Sequence, residues 1–227
     1  MTDHAGARTT VLHLAGSPSD SFFADLSRLY AADCLRSLRD LDGFVHVVAW
    51  VEPGCRWRFP DDLTPSALEA AETVGLEEAL RRIRVLAPDV ALPQMFCIPG
   101  MTTYRSLLDL LGVPVVGNPA DVMAVGAHKA RSKALVAAAG VRVPDGRVVR
   151  PGDDVDLPLP LVVKPVDGDN SAGVTLVREP GGLAAAVREA AGASAAGEAL
   201  VERFVELGRE VRCAVLETDD GLRALPL

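Results

Sequence analysis

Apolar positions in the first half of the chain follow two rhythms. Thr9-Thr-Val-Leu-His-Leu-Ala15 is a short apolar run, and Phe44-Val-His-Val-Val-Ala-Trp-Val51 is nearly continuous. Runs of this kind suit strands of a parallel sheet buried on both faces. Between them Phe22, Phe23, Leu26, Leu29, Tyr30, Leu35 and Leu38 recur at spacings of three and four, which predicts an amphipathic helix over 22–40. Gly16-Ser-Pro-Ser-Asp-Ser21 is the turn between them, with Ser19 or Asp20 placed to cap the helix. The alternation continues with a helix over 66–86, a strand within Asp89–Cys97, a helix over 102–111 ended by Gly112, and a strand at Val113–Gly117. A β-α-β-α-β-α-β order implies a doubly wound parallel sheet.

From Asn118 the rhythm changes. A helix over 128–139 ends at Gly140, a suitable C′ residue, and a short strand near Arg147–Val149 lies between proline-rich links. Strands at 161–164 and 173–178, a helix at 183–191, a strand at 199–203, and strands near 210–217 and 222–226 follow. This is an α+β unit with an antiparallel sheet, so two domains are expected, residues 1–118 and 119–227. The proline- and glycine-punctuated stretch Glu52–Pro60 reads as a surface hairpin with Trp57 half buried, the alternative being a lid over a substrate cleft.

Composition narrows the class. The 227 residues are 49% hydrophobic and only 4% aromatic, as helices packed on buried strands require. A net charge of −8 repels nucleic acid and anionic membranes at long range, so neither is an expected partner. Residues 1–10 are polar, with no signal peptide visible, and no apolar run reaches transmembrane length, so a cytoplasmic protein is expected. Cys34, Cys55, Cys97 and Cys213 have neither C-x-x-C spacing nor flanking histidine pairs, so mostly buried, reduced thiols are expected, and no metal site. His13 and His46 fall inside strand-like runs, as core or sheet-edge residues.

Lys164 carries the most chemical information. It closes the apolar run Leu159-Pro-Leu-Val-Val-Lys-Pro165, and the glycine-bounded loop Gly168-Asp-Asn-Ser-Ala-Gly173 follows. A lysine on a rigid strand facing a loop of backbone donors can hold a polyphosphate from two sides. The two glycines have Walker A spacing, but Val174-Thr175 stand where that motif needs Lys and Ser/Thr. No G-x-G-x-x-G occurs in the chain, so the dinucleotide fingerprint is absent as well.

Three segments occur in order: His128-Lys-Ala-Arg-Ser-Lys133, then Val162-Val-Lys-Pro165 with its loop, then Val201-Glu-Arg-Phe-Val205 with Gly208-Arg-Glu-Val211. With Pro99–Asn118, which contains Leu111-Gly-Val-Pro114, they resemble the ATP-grasp superfamily and within it the D-alanine–D-alanine ligase branch. The resemblance spans nearly the whole chain and is specific over 99–211. It implies a substrate domain ahead of an ATP-grasp subdomain, and a carboxylate activated by ATP as an acyl phosphate for attack by an amine. Lys129 and Lys164 match the lysines that contact ATP phosphates, and Gly173 belongs to the loop over them. Glu202 matches the acid that binds the adenine amino group, Phe204 and Val205 the hinge beside adenine, and Glu210 the acid on the ribose hydroxyls.

Two departures fall on the substrate side. The family loop reads Glu-Gly-Ser-Ser-x-Gly, and here Asn170 precedes Ser171 where a serine helps orient the first amino acid. A glutamate that meets the substrate ammonium is replaced by Asp20, one carbon shorter. Asp20, Asn170 and Ser171 are therefore the substrate-side candidates. Residues 128–133 with Lys164 supply the local cluster of Lys and Arg an ATP site needs, and Lys133, a helical turn beyond Lys129, is expected to matter less for ATP than Lys164. The resemblance further implies magnesium, with its carboxylate and asparagine ligands beyond Leu227, so that this chain would be a truncated enzyme, inactive alone. Small-molecule substrates and a homodimer are the expected partners. The alternative is a non-catalytic nucleotide-binding or scaffolding protein derived from the same fold.

Overall fold

The computed structural model describes residues 8–226, so residues 1–7 and Leu227 lie outside the described residues. The chain divides into two compact units, Met1–His128 and Lys129–Leu227. The boundary falls ten residues after the expected one at 118. The extra residues hold a helix absent from the expectation, Ala120–Gly126, which packs on helices of the first unit.

The first unit starts with β1 (Thr9–Gly16), α1 (Ser21–Leu38), β2 (Phe44–Glu52) and β3 (Arg56–Arg58). Then come α2 (Pro65–Ala70), α3 (Leu76–Leu86), β4 (Val90–Pro93), α4 (Ile98–Met101), α5 (Thr103–Leu110) and α6 (Ala120–Gly126). The sheet order is β3-β2-β1-β4, with β1 parallel to both β2 and β4 and β3 antiparallel to β2. One side of the sheet packs Leu12, Leu14, Val51, Ile83 and Leu108 together, and the other packs Ala31, Leu35, Val48 and Trp50.

Three local expectations are corrected. The single helix over 66–86 is two, because Ala71 turns extended (ψ 137°) and Val74 pairs antiparallel with Trp57. Arg58 stabilises the break by donating from Nη1 to the carbonyls of Leu68 at 2.8 Å and Ala71 at 2.9 Å. Trp57 is neither half buried nor a lid: it is 1% exposed, with its ring 5.4 Å from that of Tyr104. The strand at 113–117 shrinks to one parallel bridge between Ala91 and Val115. Pro114 has no N–H to continue a ladder, and Gly117 turns away at φ +108°.

The second unit contains α7 (Lys129–Ala138), β5 (Gly146–Val149), β6 (Leu161–Pro165) and β7 (Thr175–Val177). A 3-10 turn at Pro180–Gly182 leads into α8 (Leu183–Gly192), followed by β8 (Ala199–Arg203), β9 (Val215–Thr218) and β10 (Gly221–Ala224). Strands β5-β8-β6-β7 form an antiparallel sheet, and β9 and β10 pair separately. Period-two alternation gives the sheet two faces. Leu161, Val163, Ala199 and Val201 point to α8 and pack on Ala186, Val187 and Ala190. Val162, Lys164, Leu200 and Glu202 therefore share the opposite face.

Candidate functional site

The sheet face opposite α8 gathers the charged residues. In register, Val162 lies opposite Glu202 and Lys164 opposite Leu200, so Lys164 and Glu202 are diagonal neighbours within reach of long side chains. Lys164 Nζ meets Glu202 Oε2. Lys133, on α7, reaches the other oxygen, Oε1, at 2.7 Å. The Glu202 side chain is 8% exposed, and both of its oxygens are held by ammonium groups. Burial pushes this carboxyl upward, but hydrogen bonds and charge from Lys133 and Lys164 outweigh it, and the pKa lies below the ordinary glutamate value.

No role was expected of Lys133 beyond its place a helical turn after Lys129, and the structure pairs it with Glu202. Four residues after Lys129, it lies on the same helix face, and that spacing was the available signal. Gly146 is the second unforeseen residue. It stands opposite Glu202 in the β5–β8 register. A Cβ there would lie 2.8 Å from both Lys133 Nζ and Glu202 Cγ, and 2.6 Å from the Val201 carbonyl oxygen.

Lys129 opens α7, and its backbone N–H donates to the Val166 carbonyl at 2.7 Å. Its ammonium donates to the carbonyl of Gly168, at the start of the loop after β6. Burial and the nearby Lys164 lower its pKa, while Asp169 and Asp167 act the other way. Asn170, Ser171 and Gly173 all take left-handed backbone, at φ 53°, 59° and 68°. Gly173 packs closely, since a Cβ would sit 3.0 Å from the Ala193 Cβ. Within the loop Asn170 N–H is already bonded to Asp169 Oδ1 at 2.7 Å and Ala172 N–H to the Asp169 carbonyl at 3.2 Å.

The adenine-side candidates follow β8. Phe204 N–H donates to the Pro160 carbonyl at 3.0 Å, and the Arg178 guanidinium lies 5.9 Å from its ring centre. Val205 is 62% exposed. Glu210 lies in the irregular segment before β9, exposed and paired with Arg212 at 3.3 Å, not with the lysines. The structure thus joins Lys164 and Glu202, sets Phe204 and Val205 directly after them, and places Glu210 in a separate pair.

Asp20 belongs to the first unit. Its Oδ1 accepts from Phe23 N–H at 2.9 Å as the N-cap of α1. The loop before it is tied down, with Gly16 N–H on Ser27 Oγ at 2.7 Å and that hydroxyl on the Gln94 carbonyl at 2.6 Å. Beside this loop an apolar pocket of about 530 Å³ is lined by Ser19, Cys55, Trp57, Tyr104, Leu107 and Leu110 among others. Loops from the carboxyl ends of parallel strands line it, the usual place for a ligand in such sheets. Cys55 and Cys213 are exposed and Cys97 is buried, so the thiols are not mostly buried; all four are free. Among the described residues no group of three or more His, Cys, Asp and Glu is placed to hold a metal ion, and no helix is long and apolar enough to cross a membrane.

An antiparallel sheet bearing a lysine strand, a glycine loop and a buried acid follows a parallel-sheet unit in the chain, and this fold matches solved D-alanine–D-alanine ligase structures of the ATP-grasp type. The VanG D-Ala:D-Ser ligase from Enterococcus faecalis superposes with a TM-score of 0.78 at 23% identity, covering 96% of this chain and 68% of that one. A D-alanine–D-alanine ligase from Bacillus anthracis, solved with ATP, superposes with a TM-score of 0.63 at 19% identity, covering 87% and 59%. Residues 153–227 match the family model for the D-ala D-ala ligase C-terminus. The D-alanine–D-alanine ligase of Mycolicibacterium smegmatis is 32% identical over 250 aligned positions, covering 96% of this chain and 65% of that enzyme. Over nearly its whole length the chain is similar to D-alanine–D-alanine ligases, and its fold matches theirs. It spans from 37% to 65% of the length of the curated relatives it matches first.

Proposed function

We propose that this chain supplies the nucleotide-holding residues of an ATP-dependent carboxylate–amine ligase that acts on small amino acids of the D-alanine type. The observation that carries the reading is Glu202, buried on an otherwise largely apolar strand and gripped by two lysines beside a glycine loop. An acid so placed has little structural reason to be there, because a buried ion pair is weak evidence for stability. It suits a base that presents an exocyclic amino group.

In the proposed reaction the γ-phosphoryl group passes from ATP to a carboxylate oxygen, giving an acyl phosphate and ADP. The amine nitrogen then attacks the acyl carbon, the bond to phosphate breaks, and the amine loses a proton. Such transfers depend on positioning and charge neutralisation more than on covalent catalysis. Glu202 accepts from the adenine amino group, Phe204 and Val205 line the base, and Glu210 turns to the ribose hydroxyls. Lys129 and Lys164 neutralise the phosphates, with Gly173 allowing the loop to lie close. Asn170 and Ser171, and separately Asp20, are the residues proposed to act on the first amino acid. Magnesium, when bound, would supply further neutralisation of phosphate charge, but among the described residues no group of three or more His, Cys, Asp and Glu is placed to hold it, so no step is assigned to the ion. A homodimer is a further part of this proposal.

The native polypeptide carrying these residues, incubated with ATP, magnesium and pooled D- and L-amino acids, tests the reaction by mass spectrometry. ADP and phosphate with an amide-linked product support the ligase. ATP bound with neither ADP nor amide formed contradicts it and favours a nucleotide-binding role.

A further inference from the structure

We infer that Lys133 is a positioning residue for base recognition, holding the Glu202 carboxylate aimed at the exocyclic amino group of a 6-aminopurine. The inference rests on the nucleotide reading above. Lys164 and Lys133 divide the carboxylate, one on each oxygen. Their surroundings differ. Lys164 stands on β6 just before the loop expected over the phosphates, so its ammonium can exchange carboxylate for phosphate. Lys133 lies at 17% side-chain exposure, inserted over Gly146 where any Cβ would strike its Nζ. When Lys164 turns to phosphate, Lys133 is the cation that stays.

A buried carboxylate without that cation would take up a proton or draw in water. A carboxylate accepts from the amino group of adenine and repels the carbonyl oxygen of a 6-oxopurine. A protonated acid can donate to that carbonyl and loses the distinction. Lys133 therefore sets the preference for ATP over ITP without touching the nucleotide.

The test is calorimetric titration with ATP, ITP and inorganic tripolyphosphate. The proteins are wild type, Lys133→Met, Lys133→Arg, Glu202→Gln and the double variant Lys133→Met with Glu202→Gln. Lys133→Met should weaken ATP binding by about tenfold or more, the worth of a charged hydrogen-bond network, and narrow the ATP/ITP ratio by a similar factor. Tripolyphosphate affinity should stay within about twofold, as for a residue that does not contact phosphate. In the Glu202→Gln background Lys133→Met should add no further loss, since residues acting as one unit are not additive. Lys133→Arg should recover part of the ATP preference.

Equal weakening of ATP, ITP and tripolyphosphate would make Lys133 a phosphate contact and overturn the inference. An unchanged ATP/ITP ratio in Lys133→Met would overturn it too. Should circular dichroism show Lys133→Met unfolded, Lys133→Gln gives the same reading, since it keeps a donor and loses the charge. Wild-type protein that binds neither ATP nor ITP removes the nucleotide reading itself, which separates that failure from this one.

Discussion

Glu202 is 6% exposed, and a carboxylate so placed costs several kcal/mol unless it is paired. Its pKa lies below the ordinary 4.5 because the two lysines outweigh burial. The unfolded chain therefore takes the proton first, and the stability from this group is present above pH 4.5 and lost as the pH falls through the folded value. Denaturation of wild type and Glu202→Gln should differ most at neutral pH, with the gap shrinking in acid. His13 works through the opposite charge state. It is fully buried on β1, with Nε2 3.0 Å from His46 Nδ1, and burial followed by the charge of His46 lowers its pKa from 6.5 to about 4. The unfolded chain protonates this histidine first, so stability falls as the pH drops from 6.5 to about 4, by at most about 3 kcal/mol. Urea titrations across that range should show a shallower pH dependence for His13→Gln than for wild type. At this scale the sequence showed residue types and order. It could not show that Lys133 and Glu202, 69 positions apart, share a hydrogen bond, because no periodicity links two elements so far apart.

Strands and their glycines fix how closely the elements approach. Gly16 ends β1 at φ +100°, and a Cβ there would meet the Val51 carbonyl oxygen at 2.0 Å. Gly16→Ala should destabilise the first unit by about 2 kcal/mol or more, since backbone clash and left-handed strain act together; thermal denaturation measures it. Gly146→Ala should push β5 from β8 and disturb the Lys133–Glu202 pair, lowering ATP affinity as well as melting temperature. The elements themselves were largely legible. Strand β8 spans the expected 199–203, and α8 lies within one residue of its expected 183–191. Misses occurred where a contact from outside the segment, or a residue within it that cannot continue a ladder, decided the backbone. Arg58 and Trp57 divide the helix at 66–86, and Pro114 with Gly117 stops a strand that its apolar residues favour.

Within the whole molecule the two units divide the proposed labour. Residues assigned to the nucleotide all lie in Lys129–Leu227, and Asp20 with the apolar pocket lies in Met1–His128. The overall charge of −8 does not favour an anionic ligand, so binding has to come from the local lysines. Raising salt should therefore weaken ATP binding less than it would for a wholly exposed basic patch, because Lys129 and Lys164 are partly buried. The central claim is that Lys164 and its partners hold ATP on the sheet face opposite α8. Titration calorimetry of ATP into wild type and Lys164→Ala, both checked for folding by melting temperature, tests it most directly. Wild type should bind ATP, and Lys164→Ala should bind it at least about tenfold more weakly, the loss of one charge-assisted phosphate contact. Equal ATP affinity in the two folded proteins would contradict the assignment.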